Sequence, residues 1–161
     1  MLKIRRGQQK DLPQVLSLIQ ELALYEKAPH EVTNTVEAME RDGFGLNPKY
    51  FLWVAEMSEK IIGIAICYTR YSTWKGPMLY LEDIVVTEKE RGKKVGHQLM
   101  STVIQFAKEQ EYNGLIWQVL EWNEPAIRFY KKYDAHFDGE WFNVKLNKEQ
   151  LQQFQSQNAS I

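Results

Sequence analysis

A basic, glycine-containing segment joins two apolar stretches of the chain. Met78 to Val86 is rich in β-branched and aromatic residues and predicts a strand, whereas Val95 to Gln110 repeats its apolar residues at helical spacing. The first N–H groups of a helix lack intrahelical partners, and the helix dipole favours negative charge beside them. The segment between the strand and the helix therefore predicts an anion site with cationic side chains and two glycines that allow close backbone approach. Its residues are Arg91, Gly92, Lys93, Lys94, Val95 and Gly96.

The competing interpretation of this segment is a turn whose charges are simply solvated. Its glycine spacing matches neither a Walker loop nor a dinucleotide-binding fingerprint. The segment alone leaves both alternatives open.

Two adjacent carboxylates, Glu82 and Asp83, interrupt the predicted strand. Strand alternation predicts that Glu82 shares a face with Tyr80 and Ile84 and that Asp83 lies on the other face. Unpaired buried carboxylates are costly, so the pair requires an explanation. Either a nearby cation such as Arg70 forms a salt bridge with it, or the carboxylates have a chemical role.

A third segment, Asn123 to Tyr130, predicts a short amphipathic helix capped by Asn123. Packing in the core explains its Ala126, Ile127 and Phe129. Tyr130 is explained less fully, because a buried phenol needs a hydrogen-bond partner.

Length and composition restrict the class of protein. The 161 residues predict one domain, 1–161, with a frayed tail from about residue 150. A formal net charge of -1 argues against a nucleic-acid partner, and the sequence contains no apolar run long enough to span a membrane. The single cysteine, Cys67, lies in a strand pattern, which favours a buried thiol and a cytoplasmic protein. The three histidines show no metal-ligand spacing, so no metal is expected.

The remaining patterns predict an α/β fold with a mixed, mostly antiparallel central sheet flanked by helices. Asp11 is predicted to cap the first helix, and Ser58-Glu59 to form a hairpin turn. A second helix is expected over Asn34–Arg41. The predicted strands are Leu2–Arg5, Phe51–Glu56, Lys60–Thr69, Met78–Val86, Leu115–Leu120 and Trp141–Leu146.

Together the basic segment and the Asn123–Tyr130 pattern one strand later resemble the GNAT acetyltransferase superfamily. Within it the chain resembles the diamine acetyltransferases, which comprise spermidine/spermine acetyltransferase and its thialysine-acetylating relatives. Four segments carry that resemblance: Glu21–Glu26, Asp42–Gly45, Leu79–Asp83 and Glu121–Pro125. The chain departs from the superfamily loop at Lys94, which stands where a glycine is usual. Lys94 could crowd the pyrophosphate or form a salt bridge with a CoA phosphate, and we favour the salt bridge.

The resemblance implies acetyl-CoA as co-substrate and direct attack of an amine on the thioester. A primary alkyl ammonium has a pKa of roughly 10 and must lose a proton before it attacks. The resemblance implies Glu82 as the base, acting directly or through water, and Tyr130 as the acid for the departing thiolate. It further implies that the strand at Ile84, Val85 and Val86 pairs with pantetheine, and that Asn123 helps to hold the CoA end of the site.

The substrate that the resemblance implies is a small cationic amine, bound by carboxylates and aromatic faces. The candidate residues are Tyr25, Glu26, Trp74, Glu82 and Asp83. The loop Tyr71–Gly76 resembles the thialysine-type relatives and favours a lysine analogue or a diamine over a long polyamine. A homodimer is also implied. The alternatives are a protein or peptide N-acetyltransferase and a non-catalytic acyl-CoA sensor.

Overall fold

The computed structural model describes residues 1–153, which divide into two compact units. The first unit is Met1–Gln118 and the second begins at Val119. We describe each unit by itself, and the single domain expected from the sequence stays a prediction.

The first unit is built on a five-stranded sheet in the order β1-β2-β3-β4-β5. Neighbouring strands from β1 to β4 pair antiparallel, and β5 pairs parallel with β4. The mixed, mostly antiparallel sheet expected from the sequence is therefore confirmed. The strands are β1 Lys3–Arg6, β2 Phe51–Met57, β3 Lys60–Ser72, β4 Gly76–Val86 and β5 Leu115–Ile116.

Three helices accompany this sheet. They are α1 Leu12–Tyr25, α2 Val36–Phe44 and α3 Val95–Glu109. The α2 helix begins later and ends later than the predicted Asn34–Arg41. Its N-terminus is set by Thr35, whose hydroxyl accepts the Ala38 N–H, and it continues until Gly45 adopts extended backbone.

The two faces of the sheet pack against different helices. Val54, Ile64 and Val85 oppose one another across β2, β3 and β4, and they join a core cluster with residues of α1 and α2. The opposite face carries Trp53, which makes an edge-to-face contact with Phe106 of α3 at a centroid distance of 4.8 Å. The sheet is therefore a middle layer between helices, and its apolar faces are covered on both sides.

The β2–β3 turn confirms the predicted hairpin. Ser58 and Glu59 both have positive φ, 49° and 64°, which is the conformation of a two-residue turn that matches the twist of the strands. The two residues that were predicted to form the turn therefore do so.

Asp11 occupies the predicted cap position of α1, but its side chain makes no capping hydrogen bond to that helix. It accepts the Gln8 N–H at 2.8 Å and two hydrogen bonds from Arg5, at 2.7 and 3.0 Å. The Arg5 guanidinium also bonds Glu56. The carboxylate therefore ties β1 to the start of α1, which satisfies a charge buried to 3% exposure.

The predicted strand Leu115–Leu120 is too long, since β5 ends at Ile116. Its ladder with β4 consists of Leu79 opposite Leu115 and Tyr80 opposite Ile116. Two residues beyond Tyr80, β4 contains a bulge at Glu82. A bulged strand bends and its local twist increases, which is consistent with the β4–β5 ladder ending after these two pairs.

The second unit contains α4 Glu124–Lys131 and α5 Lys148–Gln153. The α5 helix occupies part of the tail expected to fray, and residues 154–161 lie outside the described residues. The predicted strand Trp141–Leu146 was wrong. A strand requires a ladder partner, and within residues 1–153 no strand pairs with this segment.

Candidate active site

An insertion in the β3–β4 ladder organises the acidic residues of the first unit. Asp83 lies opposite Ile66 and Leu81 lies opposite Cys67, so Glu82 is the extra residue of a β-bulge. Residues that lie opposite each other in a ladder share a face. Since Tyr80 lies opposite Tyr68, which shares the face of Ile66, Asp83 and Tyr80 lie on one side of the sheet.

This arrangement corrects the alternation predicted from the sequence. Asp83 was expected on the face opposite to Tyr80, and Ile84 on the same face as Tyr80. The observed register reverses both, because Ile84 opposes Ala65 on the α3 side. The bulge therefore brings Asp83 to the α1 side of the sheet.

The last residues of α1 contribute a third carboxylate. Burial, the charge of Glu82 and the charge of Glu26 raise the pKa of Asp83 from 3.8 to about 6. Burial also raises the pKa of Glu26, which is the C-cap residue of α1. Glu26, Glu82 and Asp83 thus form an acidic cluster, and charge repulsion and desolvation both oppose ionisation of Asp83.

Two tyrosines line the same face, and sequence reasoning did not assign either to the site. The rings of Tyr68 and Tyr80 lie 5.1 Å apart. Burial, the charge of Glu82 and a hydrogen bond to that carboxylate contribute to raising the pKa of Tyr68 to about 12. Tyr80 donates a hydrogen bond to Gln118 Oε1 at 2.9 Å. Tyr68 could have been assigned to the site from its position opposite Tyr80, but that position follows only from the β3–β4 register, which the sequence does not specify.

The proposed salt-bridge explanation of the carboxylate pair is not supported. Among residues 1–153, no lysine or arginine forms an ion pair with Glu82 or Asp83 within 4.0 Å. Arg70, the suggested partner, instead lies over the Tyr80 ring, with its guanidinium carbon 5.8 Å from the centroid. The acidic cluster therefore keeps its charge available for a cation from solution.

The start of α3 has the backbone expected of an anion site. Lys94 occupies the N-cap position in the left-handed conformation, with φ 66° and ψ 7°, and its side chain makes no capping hydrogen bond. Gly92 also has positive φ, 77°. Val95, the first helical residue, is buried, whereas Arg91, Lys93 and Lys94 are exposed. The loop therefore presents cations beside a helix start that no side chain caps.

Strand β4 carries an open edge beside this loop. Within the described part of the chain, β5 pairs only with Leu79 and Tyr80, so the outer edge from Leu81 to Val86 has no strand partner. Arg91 folds back on the end of this strand, where its Nε donates to the Val86 carbonyl at 3.0 Å. Ile84, Val85 and Val86 thus lie on an edge that can accept an extended ligand by backbone hydrogen bonding.

Of the remaining predicted substrate residues, the structure brings one close to the cluster and leaves one distant. Tyr25 ends α1 next to Glu26, and the Arg91 guanidinium carbon lies 5.2 Å from its ring centroid. Trp74 lies at the tip of the β3–β4 hairpin and is 86% exposed. Six residues of strand separate that tip from Glu82, about 20 Å at the rise of a β-strand.

The second unit holds the other two predicted site residues. Asn123 caps α4 as predicted, because its Oδ1 accepts the Ala126 N–H at 3.3 Å. Asn123 and Tyr130 are 8% and 7% exposed. The Tyr130 ring makes an edge contact with Phe129 at a centroid distance of 5.4 Å.

Comparison with known families decides the class of protein. Residues 14–135 match the acetyltransferase (GNAT) family. The chain belongs to the GNAT acetyltransferase family. It is therefore an N-acetyltransferase, as the sequence resemblance predicted.

Two relatives are similar to most of this chain. The chain is 37% identical to thialysine N-epsilon-acetyltransferase of Bos taurus over 140 residues, covering 82% of each chain. It is 31% identical over 159 residues to spermidine/spermine N(1)-acetyltransferase-like protein 1 of Homo sapiens, covering 92% of this chain and 23% of that longer one.

Solved structures support the same fold. An aminoglycoside acetyltransferase, meta-AAC0020, from an uncultured soil metagenomic sample has a TM-score of 0.76 at 21% identity, covering 91% of this chain and 97% of that one. The structure of AAC(6')-Iy in complex with the bisubstrate analogue CoA-S-monomethyl-acetylneamine has a TM-score of 0.76 at 16% identity, covering 91% and 99%.

Three further properties of this GNAT acetyltransferase concern its described residues. Residues 1–153 contain no group of three or more His, Cys, Asp or Glu side chains that could hold a metal ion. None of the helices in that range has the length and apolar character needed to cross a membrane. Cys67 is buried as predicted, and burial raises the pKa of its thiol to about 12.

Replacing Asp83 by asparagine should stabilise the fold. Ionised Asp83 is less favourable in the folded chain than in the unfolded chain, because its folded pKa of about 6 exceeds the ordinary 3.8. We expect Asp83→Asn to raise the free energy of unfolding by roughly 1–3 kcal/mol above pH 6. The gain should vanish below about pH 4, where the carboxyl is protonated in both states. Urea unfolding at several pH values measures it, with the exposed Glu109→Gln as control. An equal gain at every pH would contradict this assignment.

Replacing Lys94 should separate backbone strain from charge. Lys94→Gly removes the left-handed strain, and we expect a gain of about 0.5–1 kcal/mol in the free energy of unfolding. The matched variant Lys94→Asn tolerates the left-handed conformation but lacks the ammonium. If the ammonium contacts a CoA phosphate, both variants should bind CoA several-fold more weakly, with a shallower dependence on salt. Unchanged affinity in both variants would assign the lysine no part in binding.

Proposed function

We propose that this chain transfers the acetyl group of acetyl-CoA to a primary amine of a small cationic molecule. The observation that carries the proposal is the acidic cluster of Glu26, Glu82 and Asp83, which forms no ion pair with a lysine or arginine among the described residues. Glu26 and Asp83 are half-buried, whereas Glu82 is exposed. A partly desolvated carboxylate attracts a cation more strongly than a fully solvated one. The flanking rings of Tyr68 and Tyr80 offer aromatic faces to the same cation.

The residues at the start of α3 fit acetyl-CoA. The uncapped helix start and the exposed Arg91, Lys93 and Lys94 suit its phosphates. The open edge of β4 at Ile84, Val85 and Val86 suits the amides of pantetheine. When bound, acetyl-CoA supplies the thioester carbon that the amine nitrogen attacks. Gly92, Val95, Gly96 and Asn123 complete the set of residues that we assign to its binding.

In the mechanism that we propose, Glu82 and Tyr130 move protons. Glu82 takes the ammonium proton, directly or through a water, so that the nitrogen lone pair can attack the thioester carbon. As the carbon–sulfur bond breaks, the Tyr130 hydroxyl donates its proton to the sulfur, which leaves as the CoA thiol. The attacking nitrogen loses its second proton to water to give the neutral amide. Water then returns a proton to Tyr130, and Glu82 releases its proton to the solvent. The acetyl group passes from sulfur to nitrogen, and no covalent enzyme intermediate is formed.

The substrate that we favour is a lysine analogue such as thialysine, or a short diamine. The name of the bovine relative, thialysine N-epsilon-acetyltransferase, supports this choice. The loop Tyr71–Gly76 supports it as well, because it carries no carboxylate that could bind a further ammonium of a polyamine. We assign Tyr25, Glu26, Glu82 and Asp83 to the amine. Trp74 stays assigned only by resemblance.

An amine panel tests this function. Purified protein is incubated with acetyl-CoA and thialysine, lysine, putrescine, spermidine, spermine or a short lysine-containing peptide, and CoA release is followed with a thiol reagent. We expect turnover on the free amines, fastest on thialysine or a short diamine. Turnover on the peptide alone would favour a protein acetyltransferase. Binding of acetyl-CoA without turnover would favour a sensor.

Two variants serve as controls for the chemistry. Tyr130→Phe and Glu82→Gln should each lower kcat by roughly 100-fold, the usual size of an acid or base contribution. If Tyr130→Phe turns over at the wild-type rate, the tyrosine is not the acid.

We further propose a homodimer located in the cytoplasm. Trp141, Phe142 and Val144 of the second unit are 75%, 93% and 92% exposed, and exposed apolar groups of this size favour association. Sedimentation velocity at micromolar concentration should give the mass of two chains. We expect Phe142→Asp to shift the protein toward the mass of one chain, whereas Glu109→Gln should not. Wild-type protein with the mass of one chain would contradict the dimer.

A further inference from the structure

Glu21, on α1, makes contacts with the segment that leads into the basic loop. Its Oε2 accepts a hydrogen bond from the Thr87 hydroxyl at 2.9 Å, and its Oε1 accepts the Glu88 N–H at 2.8 Å. Sixty-six residues separate Glu21 from Thr87, so these bonds join two distant parts of the chain. Both bonds have an ionised acceptor, which makes them stronger than bonds between neutral groups.

The Glu88 N–H would otherwise have no partner in its own turn. Glu88–Glu90 form a short 3₁₀ turn, and Thr87 at its N-cap position makes no side-chain capping bond. The first N–H groups of such a turn have no acceptor within it. Glu21 therefore caps, from another helix, the turn that ends directly before Arg91.

Arg91 is held by the same group of residues. Its guanidinium nitrogen lies 4.0 Å from Glu21 Oε1, and its Nε donates to the Val86 carbonyl at 3.0 Å. Its guanidinium carbon lies 5.2 Å from the ring centroid of Tyr25. Tyr25 is four residues after Glu21 and therefore lies on the same side of α1. Arg91 is thus restrained on three sides although it is exposed.

We propose that Glu21 is the positioning residue of the acetyl-CoA site. From α1 it holds the Thr87–Arg91 segment, so that Arg91 and the start of α3 are in place before the phosphates arrive. Glu21 does not touch the ligand; it acts through Thr87, the Glu88 N–H and Arg91. This inference rests on the proposed binding of acetyl-CoA at the basic loop.

Removing Glu21 should have opposite effects on CoA affinity in a purely electrostatic role and in a positioning role. A carboxylate close to an anion site repels phosphate, so its removal should strengthen CoA binding. A positioning carboxylate does the reverse, because its loss allows Arg91 and the turn to take other conformations that must be ordered again on binding. The sign of the change in affinity therefore separates the two roles.

The test is the affinity for CoA, measured by calorimetry without amine, in wild type, Glu21→Ala and Glu21→Gln. We expect Glu21→Ala to weaken binding about 10-fold, as the loss of one or two charge-assisted hydrogen bonds implies. Glu21→Gln retains an acceptor for the Glu88 N–H and should recover part of the loss. In turnover assays KM for acetyl-CoA should rise while kcat changes less than about threefold, since the reacting groups are untouched.

The matched control is Glu90→Gln. Glu90 bonds Lys93 at 2.9 Å in the same loop, and its loss removes the same charge without releasing Arg91. We expect this variant to bind CoA at least as tightly as wild type. In the double variant Glu21→Ala with Arg91→Ala, the loss of CoA-binding free energy should be smaller than the sum of the losses in the two single variants. The effects overlap because Glu21 acts largely through Arg91.

If wild type binds CoA and Glu21→Ala binds it equally or more tightly, the positioning role is overturned. The proposed function then still stands. Wild type that binds no CoA overturns both. If Glu21→Ala does not fold, as judged by its melting curve, Thr87→Val replaces it. That variant loses one of the two bonds and should weaken CoA binding about threefold; an unchanged affinity would again overturn the role.

Discussion

The ladder between β3 and β4 is the constraint on which the candidate site depends. Its apolar pairs, such as Ile64 with Val85, are anchored in the core and determine the register. Given that register, the extra residue at Glu82 turns Asp83 to the α1 side and lies two residues beyond the last β4–β5 pair. The bulge at Glu82 therefore lies both in the acidic cluster and on the open edge of β4. The proposed reaction needs these two features next to each other.

The acidic cluster is unfavourable for the folded chain by itself. Burial and the neighbouring Glu26 and Glu82 raise the pKa of Asp83, so an ionised Asp83 lowers stability at neutral pH. Elsewhere the same chain satisfies a buried carboxylate fully, since Asp11 accepts three hydrogen bonds and pairs with Arg5. The contrast supports a functional explanation for Asp83, because an incoming ammonium would supply the missing charge.

Sequence reasoning succeeded where local chemistry decides the structure. The Ser58-Glu59 turn and the Asn123 cap depend on a few adjacent residues, and the apolar face of α3 on helical periodicity. It failed where a distant partner decides. Nothing local marks the bulge at Glu82, and strict alternation therefore placed Asp83 on the wrong face. Trp141–Leu146 alternates like a strand, yet no strand pairs with it within residues 1–153. Tyr68 and Glu21 were missed because their partners lie far along the chain.

The loop before α3 illustrates how a binding motif can depart from its usual sequence. Lys94 adopts a left-handed conformation that glycine would adopt without strain, and the cost is of order 1 kcal/mol. The bonds from Glu21 to Thr87 and Glu88 are of similar or greater size. They restrain the same connection from outside the motif, and the Arg91 bond to Val86 fixes its junction with β4. The conformation of the loop is therefore set by α1 and β4 as well as by its glycines, so the presence of a lysine does not by itself disqualify the loop as a phosphate site.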